Sequence, residues 1–253
     1  MKYAIITGAS KGLGAAIAKR LMNERIAVIS VARTENVELK RLALETGTDY
    51  RHFSCNLALD TEVQEVFMEI SHCIFQKDPT EILLFNNAGV VEPIHTVGNL
   101  DQTPTIRNVH INLIAPMLIT NIFLNKALHT ETKVQVVNVT SGAAVRSIEG
   151  WSVYCSSKAG LNMFTQTAAL EQEELQTGNK IIAFSPGIMD TEMQGTIRSS
   201  SKEGFKDLEK FKGYKENNML LPAETVADAM VDLILGGNVE SGKVYNINDL
   251  LNK

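Results

Sequence analysis

The chain has 253 residues, of which 44% are hydrophobic and 21% are charged, with a formal net charge of −5 and an isoelectric point near 5.6. This length suits one large domain or two small ones, and the apolar fraction is sufficient for a full core. The negative charge argues against a nucleic-acid or anionic-membrane partner, because both require a basic surface.

Cysteine and histidine usage narrows the class of protein further. The three cysteines, Cys55, Cys73 and Cys155, are scattered along the chain, which favours free thiols in a reducing cytoplasm over a disulfide framework. The five histidines are widely spaced and form no Cys/His cluster that would indicate a metal. The apolar runs are far shorter than the roughly 20 residues that a membrane span needs. We therefore predict a cytoplasmic protein without a metal or a signal peptide.

Short apolar runs of β type alternate with longer segments of helical period along the chain. The predicted strands are residues 3–6, 27–31, 50–54, 82–85, 134–139, 180–184 and 243–247. The predicted helices are residues 13–24, 35–46, 61–75, 103–125, 152–175 and 226–235, with a bend at Pro116 in the fourth. Strands that are nearly all apolar indicate a parallel sheet with helices on both faces, the doubly wound α/β architecture. We expect a single Rossmann-like domain over 1–253, with a cofactor half (about 1–130) and a catalytic and substrate half (about 131–253).

Residues 194–220 interrupt this alternation, because they are polar and rich in Lys, Glu and Ser. The segment follows the sixth predicted strand, at the end of the sheet where ligands bind in this architecture. It is therefore either a mobile lid over a substrate or an ordinary surface insertion.

A glycine-rich turn lies between the first predicted strand and the first helix. Its pattern, Gly8-x-x-x-Gly12-x-Gly14, is a variant of the dinucleotide-binding motif with one extra residue between the first two glycines. Glycine lets the backbone approach a pyrophosphate, and the helix N-terminus offers N–H groups and a partial positive charge. Ile6 ends the strand beneath this turn, so we predict a nicotinamide dinucleotide over it.

The tip of the second predicted strand bears on which nicotinamide cofactor is used. NAD selectivity usually depends on an acidic residue at this position, whereas this strand ends Val31-Ala32-Arg33-Thr34. Arg33 can meet a 2′-phosphate with a forked, charge-assisted contact, and Lys11 in the glycine turn can approach from the other side. We predict NADP(H); the alternative is that both cations are solvated surface charges.

Tyr154 and Lys158 stand four residues apart on a predicted helix, which places their side chains on one face. An ammonium beside a phenol favours the phenolate, so we expect the tyrosine pKa to lie below its usual value of about 10. Such a phenol is an acid/base able to exchange a proton near neutral pH. Ser141, at the end of a predicted strand, can hold a carbonyl oxygen beside it, and the combination indicates hydride transfer to or from a carbonyl.

These motifs resemble the short-chain dehydrogenase/reductase family from one end of the chain to the other. The matching residues, in order, are Thr7-Gly8-Ala9-Ser10-Lys11-Gly12-Leu13-Gly14, Asn86-Asn87-Ala88-Gly89, Asn112, Ser141, Tyr154-x-x-x-Lys158 and Pro186-Gly187. The resemblance implies that Tyr154 is the general acid/base, that Lys158 lowers its pKa and holds the nicotinamide ribose, that Ser141 orients the substrate oxygen and that Asn112 supports a water-linked proton path.

The resemblance also extends the predicted cofactor site. The turn 86–89 would flank the adenosine and ribose, and the loop after Pro186-Gly187 would close over the nicotinamide. Asn56-Leu57 departs from the family pattern, which usually has an acid at the adenine edge. The predicted cofactor-binding residues are Ile6, Gly8, Ser10, Lys11, Gly12, Leu13, Gly14, Arg33, Asn56, Leu57, Asn87, Ala88, Gly89, Tyr154, Lys158, Pro186, Gly187, Met189 and Thr191.

A narrower likeness concerns the substrate. The run 185–194, followed by Ser241-Gly242-Lys243 and Asp249, is similar to the sepiapterin reductase branch and closer still to bacterial benzil reductases. Their substrates are vicinal dicarbonyl compounds on or beside aromatic groups. The likeness implies a substrate site of Ser141 and Tyr154, with Asp249 as an anchor or else a solvated acid, and Trp151 as an aromatic wall or else a core residue.

The sequence therefore predicts an NADPH-dependent carbonyl reductase that converts one carbonyl of an α-diketone, benzil-type or sepiapterin-like, to an α-hydroxy ketone. One alternative is a family member acting on another carbonyl, such as a 3-oxoacyl thioester or a sugar. A second is an NADP-binding sensor without chemistry, which has no need of the complete set Ser141, Tyr154, Lys158 and Asn112. Family members commonly pair through their long helices, here 103–125 and 152–175, which implies a homodimer or homotetramer.

Overall fold

A seven-stranded parallel sheet forms the centre of the protein in the computed structural model, which describes residues 1–251. The strands are β1 (Lys2–Thr7), β2 (Ala27–Ala32), β3 (Tyr50–Ser54), β4 (Glu81–Asn86), β5 (Lys133–Val139), β6 (Lys180–Ser185) and β7 (Val244–Asn246). Their order across the sheet is β3-β2-β1-β4-β5-β6-β7, so the direction of winding reverses between β1 and β4. A crevice opens at the carboxyl ends of the strands at such a reversal.

Helices cover both faces of this sheet. They are α1 (Gly12–Asn23), α2 (Val37–Thr46), α3 (Asp60–Phe75), α4 (Gln102–Val109), α5 (Ala115–Ala127), α6 (Ser152–Glu174), α7 (Glu192–Arg198), α8 (Leu208–Glu216), α9 (Ala223–Leu235) and α10 (Ile247–Leu251). Alternate residues of β1 serve the two cores: Ala4 and Ile6 pack with α1 and α9, whereas Tyr3 and Ile5 pack with α3, α5 and α6. The predicted doubly wound α/β fold is confirmed, because strands apolar on both faces must be covered twice.

The helix predicted over 103–125 is interrupted before Pro116 by a π turn over His110–Ile114, which separates α4 from α5. Pro116 has no N–H and its ring excludes the carbonyl four residues earlier, that of Asn112. The chain responds by widening the turn, and the Ala115 N–H bonds to the His110 carbonyl, five residues back. The proline thus places Asn112 inside the irregular turn.

Residues 194–220 contain α7, α8 and an aromatic anchor between the two helices. Phe205 is fully buried and stacks on Trp151, with ring centroids 5.1 Å apart and planes 6° apart. Phe211 meets both rings edge-on. Gly150 permits the contact, because a Cβ there would lie 2.1 Å from the Gly204 carbonyl oxygen. Most of the Lys, Glu and Ser residues of this segment are exposed, and its few aromatic residues pack it onto the start of α6.

The last predicted strand, 243–247, is shorter in the structure. β7 ends at Asn246, and its side-chain oxygen accepts a hydrogen bond from the Asn248 N–H at 3.0 Å. Ile247 instead begins α10 and is fully buried. The apolar residue that periodicity assigned to a strand therefore serves the core from a helix.

Candidate active site

A groove of about 760 Å³ lies at the carboxyl ends of the strands, over the reversal between β1 and β4. Its lining includes most of the residues that the sequence assigned to a cofactor: Gly8, Ser10, Lys11, Gly12, Leu13, Arg33, Asn56, Leu57, Asn87, Ala88, Gly89, Tyr154, Lys158, Pro186, Met189 and Thr191. Segments that are far apart in the chain thus converge on one surface.

The glycine turn is fastened to the turn after β4 by a threonine. The Thr7 hydroxyl oxygen accepts hydrogen bonds from the N–H groups of Asn87 (2.9 Å) and Ala88 (3.0 Å). The Asn87 amide nitrogen returns a bond to the Thr7 carbonyl at 2.9 Å. A Cβ at Gly14 would lie 2.5 Å from the Gly8 carbonyl oxygen and 2.6 Å from that amide nitrogen. Glycine is therefore required for helix α1 to start this close to the turn.

The residues present fit a dinucleotide. Gly8 and Gly12 have positive φ angles of 68° and 55°, so the turn exposes bare backbone to the groove at the start of α1. Ile6, Gly14 and Gly187 lie behind the lining rather than in it. Gly187 has a φ of 73°, and a Cβ there would approach the Ile247 side chain at 2.9 Å, so its role is to let the loop after β6 pack on α10.

Charged side chains of both signs line the end of this groove beside the tip of β2. Arg33 is exposed there, as predicted from its place at the tip of β2. Lys11, by contrast, forms an ion pair with Glu192 at the start of α7, across the mouth of the groove. Glu35 also lines the groove, although no sequence motif indicated it, because it lies beyond the tip of β2.

Tyr154 and Lys158 lie one turn apart on α6, and both line the groove. Their side chains are nearly buried, at 6% and 3% exposure. Ser141, just after β5, accepts a hydrogen bond from the Ala143 N–H at 3.1 Å, and its hydroxyl interacts with that of Tyr154. The structure therefore brings the three predicted side chains together.

The pKa of Tyr154 moves in the opposite direction from our expectation. Burial raises the pKa of this phenol, and the interaction with Ser141 offsets only part of that rise. Lys158 does not counter it, because its ammonium donates to the Val139 carbonyl at 2.8 Å and burial lowers its own pKa to about 8. The expectation that the lysine depresses the tyrosine pKa is wrong for the protein alone, since desolvation outweighs charge attraction. A protonated phenol is the form that can give a proton to a carbonyl oxygen.

Asn112 lies behind Gly89 rather than in the groove. Its side-chain oxygen accepts from the Val90 N–H at 2.9 Å and its nitrogen donates to the Val90 carbonyl at 2.8 Å. A Cβ at Gly89 would lie 3.3 Å from Asn112 Oδ1 and 3.5 Å from Lys158 Nζ. Asn112 and Lys158 therefore both lie beside Gly89, which leaves the space for both, and the water-linked proton path implied for Asn112 stays a prediction.

The two other residues predicted on the substrate side lie outside the lining. Trp151 is 5% exposed and packs behind Tyr154, edge to face with a centroid separation of 5.4 Å. This is the core alternative for Trp151 and not the aromatic wall. Asp249 is exposed on the short helix α10.

A sequence profile for short chain dehydrogenase matches residues 2–202. The chain belongs to the short-chain dehydrogenase family.

The "Benzil reductase ((S)-benzoin forming)" of Bacillus cereus is 40% identical to this dehydrogenase over 249 residues, which cover 98% of this chain and 100% of that protein. The sepiapterin reductase of Bos taurus is 26% identical over 97% of this chain and 94% of its own. A short chain dehydrogenase/reductase of Saccharomyces cerevisiae with a crystal structure superposes with a TM-score of 0.83, at 29% identity, covering 100% and 99% of the two chains. The resemblance stated from the motifs is confirmed.

The structure of this short-chain dehydrogenase adds groove residues that the sequence did not reveal. Val90, Arg107, Ile111 and Met193 line it from the turn after β4, from α4, from the π turn and from α7. The only available signal was their proximity in sequence to Asn112 and to the loop after Pro186.

Over residues 1–251, no three His, Cys, Asp or Glu side chains are grouped as a metal would require, and no helix is both long and apolar enough to cross a bilayer.

Proposed function

We propose that this dehydrogenase is an NADPH-dependent carbonyl reductase that converts one carbonyl of an α-diketone to an α-hydroxy ketone. The observation that carries the proposal is the buried Tyr154 hydroxyl beside Ser141 in a glycine-lined groove. The choice of an α-diketone rests on the likeness to benzil reductase, which extends over nearly the whole of both chains.

The chain's own residues hold the reactants and move the proton. When bound in the groove, NADPH supplies the hydride. Ser141 and Tyr154 receive the ketone oxygen, and Tyr154 donates its hydroxyl proton to that oxygen as the carbonyl is reduced. The phenolate left behind is a buried anion, and Lys158 stabilises it, because a pKa of about 8 leaves most of its amine protonated at neutral pH.

A carbonyl panel tests this function. NADPH oxidation is followed with benzil, with a pterin bearing a vicinal dicarbonyl side chain and with a 3-oxoacyl thioester, each also with NADH. We expect turnover of benzil to benzoin, with the thioester slower by at least about tenfold. Faster turnover of the thioester would reassign the substrate class, and NADPH binding without turnover of any carbonyl would overturn the reductase proposal.

The preference for NADPH is proposed to depend on Arg33. Arg33→Ala is expected to weaken NADPH binding by about 10- to 100-fold and to leave NADH binding within about twofold, because a charge-assisted contact with a phosphate contributes about 1.5–3 kcal/mol. The dissociation constants can be measured from the quenching of Trp151 fluorescence by the bound cofactor, because Trp151 is the only tryptophan of the chain.

Glu35→Gln is the matched comparison, since Glu35 lines the same end of the groove and carries the opposite charge. It is expected to tighten NADPH binding slightly, because it removes a carboxylate from the neighbourhood of the 2′-phosphate. If Arg33→Ala leaves the ratio of the two cofactor affinities unchanged while Glu35→Gln weakens NADH binding, then the enzyme uses NAD and Glu35 holds the ribose.

We also propose that the protein is a homodimer or homotetramer that works in the cytoplasm. Large apolar side chains are exposed on the helices expected to pair: Ile106 on α4, and Met163 and Leu170 seven residues apart on α6. All three cysteines are free thiols, which suits a reducing compartment. Light scattering of the purified protein measures the oligomeric state.

A further inference from the structure

A carboxamide outside the predicted catalytic set forms the centre of the network behind Gly89. Asn108 lies on α4 and is fully buried. Its nitrogen donates to the carbonyls of Val90 (3.1 Å) and Glu92 (2.7 Å). Its oxygen lies 3.0 Å from Asn112 Nδ2 and 3.0 Å from Ser157 Oγ. Both N–H groups and both acceptor positions of the carboxamide are therefore used, which fixes its orientation.

Each partner of Asn108 leads to a different part of the active site. Val90 and Glu92 continue the turn that contains Gly89 in the groove lining. Asn112 lies on the π turn that packs beside Lys158. Ser157 precedes Lys158 on α6, and its hydroxyl lies 3.0 Å from the carbonyl oxygen of Tyr154. One side chain thus joins the cofactor turn, the π turn and the catalytic helix.

The network also fixes which way the Asn112 carboxamide faces. Its nitrogen lies within 3.2 Å of three acceptors, namely Val90 O, Asn108 Oδ1 and Ser157 Oγ, whereas its oxygen accepts from the Val90 N–H. The Ser157 proton can go either to Asn108 or to the Tyr154 carbonyl. Without the Asn108 oxygen, α6 would lose its polar link to α4 beside the catalytic tyrosine.

We infer that Asn108 is a positioning residue, which holds Asn112 and the turn of α6 bearing Tyr154 and Lys158 in one arrangement. It lies behind the groove and acts only through these partners. The inference rests on the proposed function only where it is tested by kcat, because that measurement requires the reductase activity. Because a misplacement of about 1 Å can lower turnover about 10²-fold, a loss of this network is measurable in kcat.

Asn108→Asp tests the inference with little change of shape. The substitution keeps the oxygen that meets Asn112 and Ser157, and it turns an oxygen toward the carbonyls of Val90 and Glu92. Burial raises the pKa of a carboxyl at this position. The ionisable side chains on the surrounding residues 90–92, 104–114 and 152–158 are Glu92, Arg107, His110, Tyr154, Cys155 and Lys158. The protonated acid can donate to one carbonyl, whereas the carboxylate is repelled by both.

We expect kcat of Asn108→Asp to fall by about 10²-fold near pH 8 relative to the wild type and to recover partly near pH 6, where the new carboxyl is protonated. The dissociation constant for NADPH, read from Trp151 quenching, should stay within about twofold, because Asn108 does not touch the groove. Amide hydrogen exchange over residues 152–158 should become faster even without substrate.

Asn179→Asp is the matched control. Asn179 is buried at the opposite, amino end of β6, where its oxygen accepts from the Val134 N–H and its nitrogen donates to Gln172 Oε1, each at 2.9 Å. Asn179→Asp should lower Tm about as much as Asn108→Asp does. It should leave kcat and the amide hydrogen exchange of residues 152–158 unchanged. If Asn108→Asp does not fold, Ser157→Ala removes the link to α6 alone and should lower kcat about tenfold.

The outcomes separate this inference from the proposed function. A wild-type protein that reduces no carbonyl defeats the proposed function, but faster exchange of 152–158 in Asn108→Asp alone would still support the positioning role. Wild-type kcat at every pH in Asn108→Asp would overturn the inference. So would an equal loss of kcat in Asn179→Asp, because the effect would then be general destabilisation.

Discussion

Tyr154→Phe is expected to lower kcat for ketone reduction by about 10³-fold, because it removes the hydroxyl proton that we propose is transferred to the substrate oxygen. The burial that raises the pKa of this phenol also means that its ring fills space next to Trp151. Phenylalanine preserves that packing, so Tm and the dissociation constant for NADPH should change little. Stopped-flow measurement of NADPH oxidation, together with Trp151 quenching, separates the chemical step from binding.

Tyr50→Phe is the control for the loss of a partly buried tyrosine hydroxyl. Tyr50 lies on β3, and its hydroxyl is 3.0 Å from the Ser30 hydroxyl, outside the groove lining. This variant should keep wild-type kcat and lose only about 1 kcal/mol of stability. Turnover of Tyr154→Phe within about tenfold of the wild type would show that another group supplies the proton.

Lys158→Met is expected to lower kcat by about 10³-fold and at the same time to make the protein more stable. The activity falls because the phenolate formed at Tyr154 loses the neighbouring ammonium. In the wild type, the same dependence should appear as a decline in kcat when the pH rises through about 8, the pKa to which burial lowers Lys158. The decline can be measured from the reduction rate of the wild type as a function of pH.

The stability gain follows from the direction of that pKa shift. The folded pKa of about 8 is below the usual lysine pKa of 10.5, so the charged form of Lys158 destabilises the folded state. The penalty is complete below about pH 8 and disappears as the pH rises toward the unfolded pKa. Each pKa unit corresponds to about 1.4 kcal/mol, and the lost hydrogen bond to Val139 costs about 1 kcal/mol. We therefore expect Lys158→Met to raise the free energy of unfolding by about 2 kcal/mol at pH 7 and by much less near pH 10.

Urea unfolding at both pH values measures this gain. Lys180→Met is the control, because Lys180 also donates to a backbone carbonyl, that of Gly237 at 3.2 Å, but from an exposed position. It should neither stabilise the protein nor change kcat. A Lys158→Met variant less stable than the wild type at pH 7 would mean that the Val139 bond outweighs the cost of burying the ammonium.

Local patterns in the sequence were enough for the framework of this dehydrogenase. Strands with both faces apolar predict a covered parallel sheet, and residues 3–6 of β1 contribute alternately to the two cores. The glycine spacing predicts the turn, and the four-residue separation of Tyr154 and Lys158 predicts their shared face of α6. Each of these features depends on neighbours a few residues away, so the order of residues carries it.

Features that depend on contacts between segments distant in the chain were decided only by the tertiary structure. The pKa of Tyr154 was predicted in the wrong direction, because the desolvation that raises it comes from segments distant in the chain. Trp151 packs behind the tyrosine because Phe205, 54 residues later, stacks on it. Asn108 has no motif of its own, and its importance arises from partners on the turn after β4, the π turn and α6. Periodicity records which face of an element is apolar, but only the packed chain determines which groups lose water and which polar atoms meet.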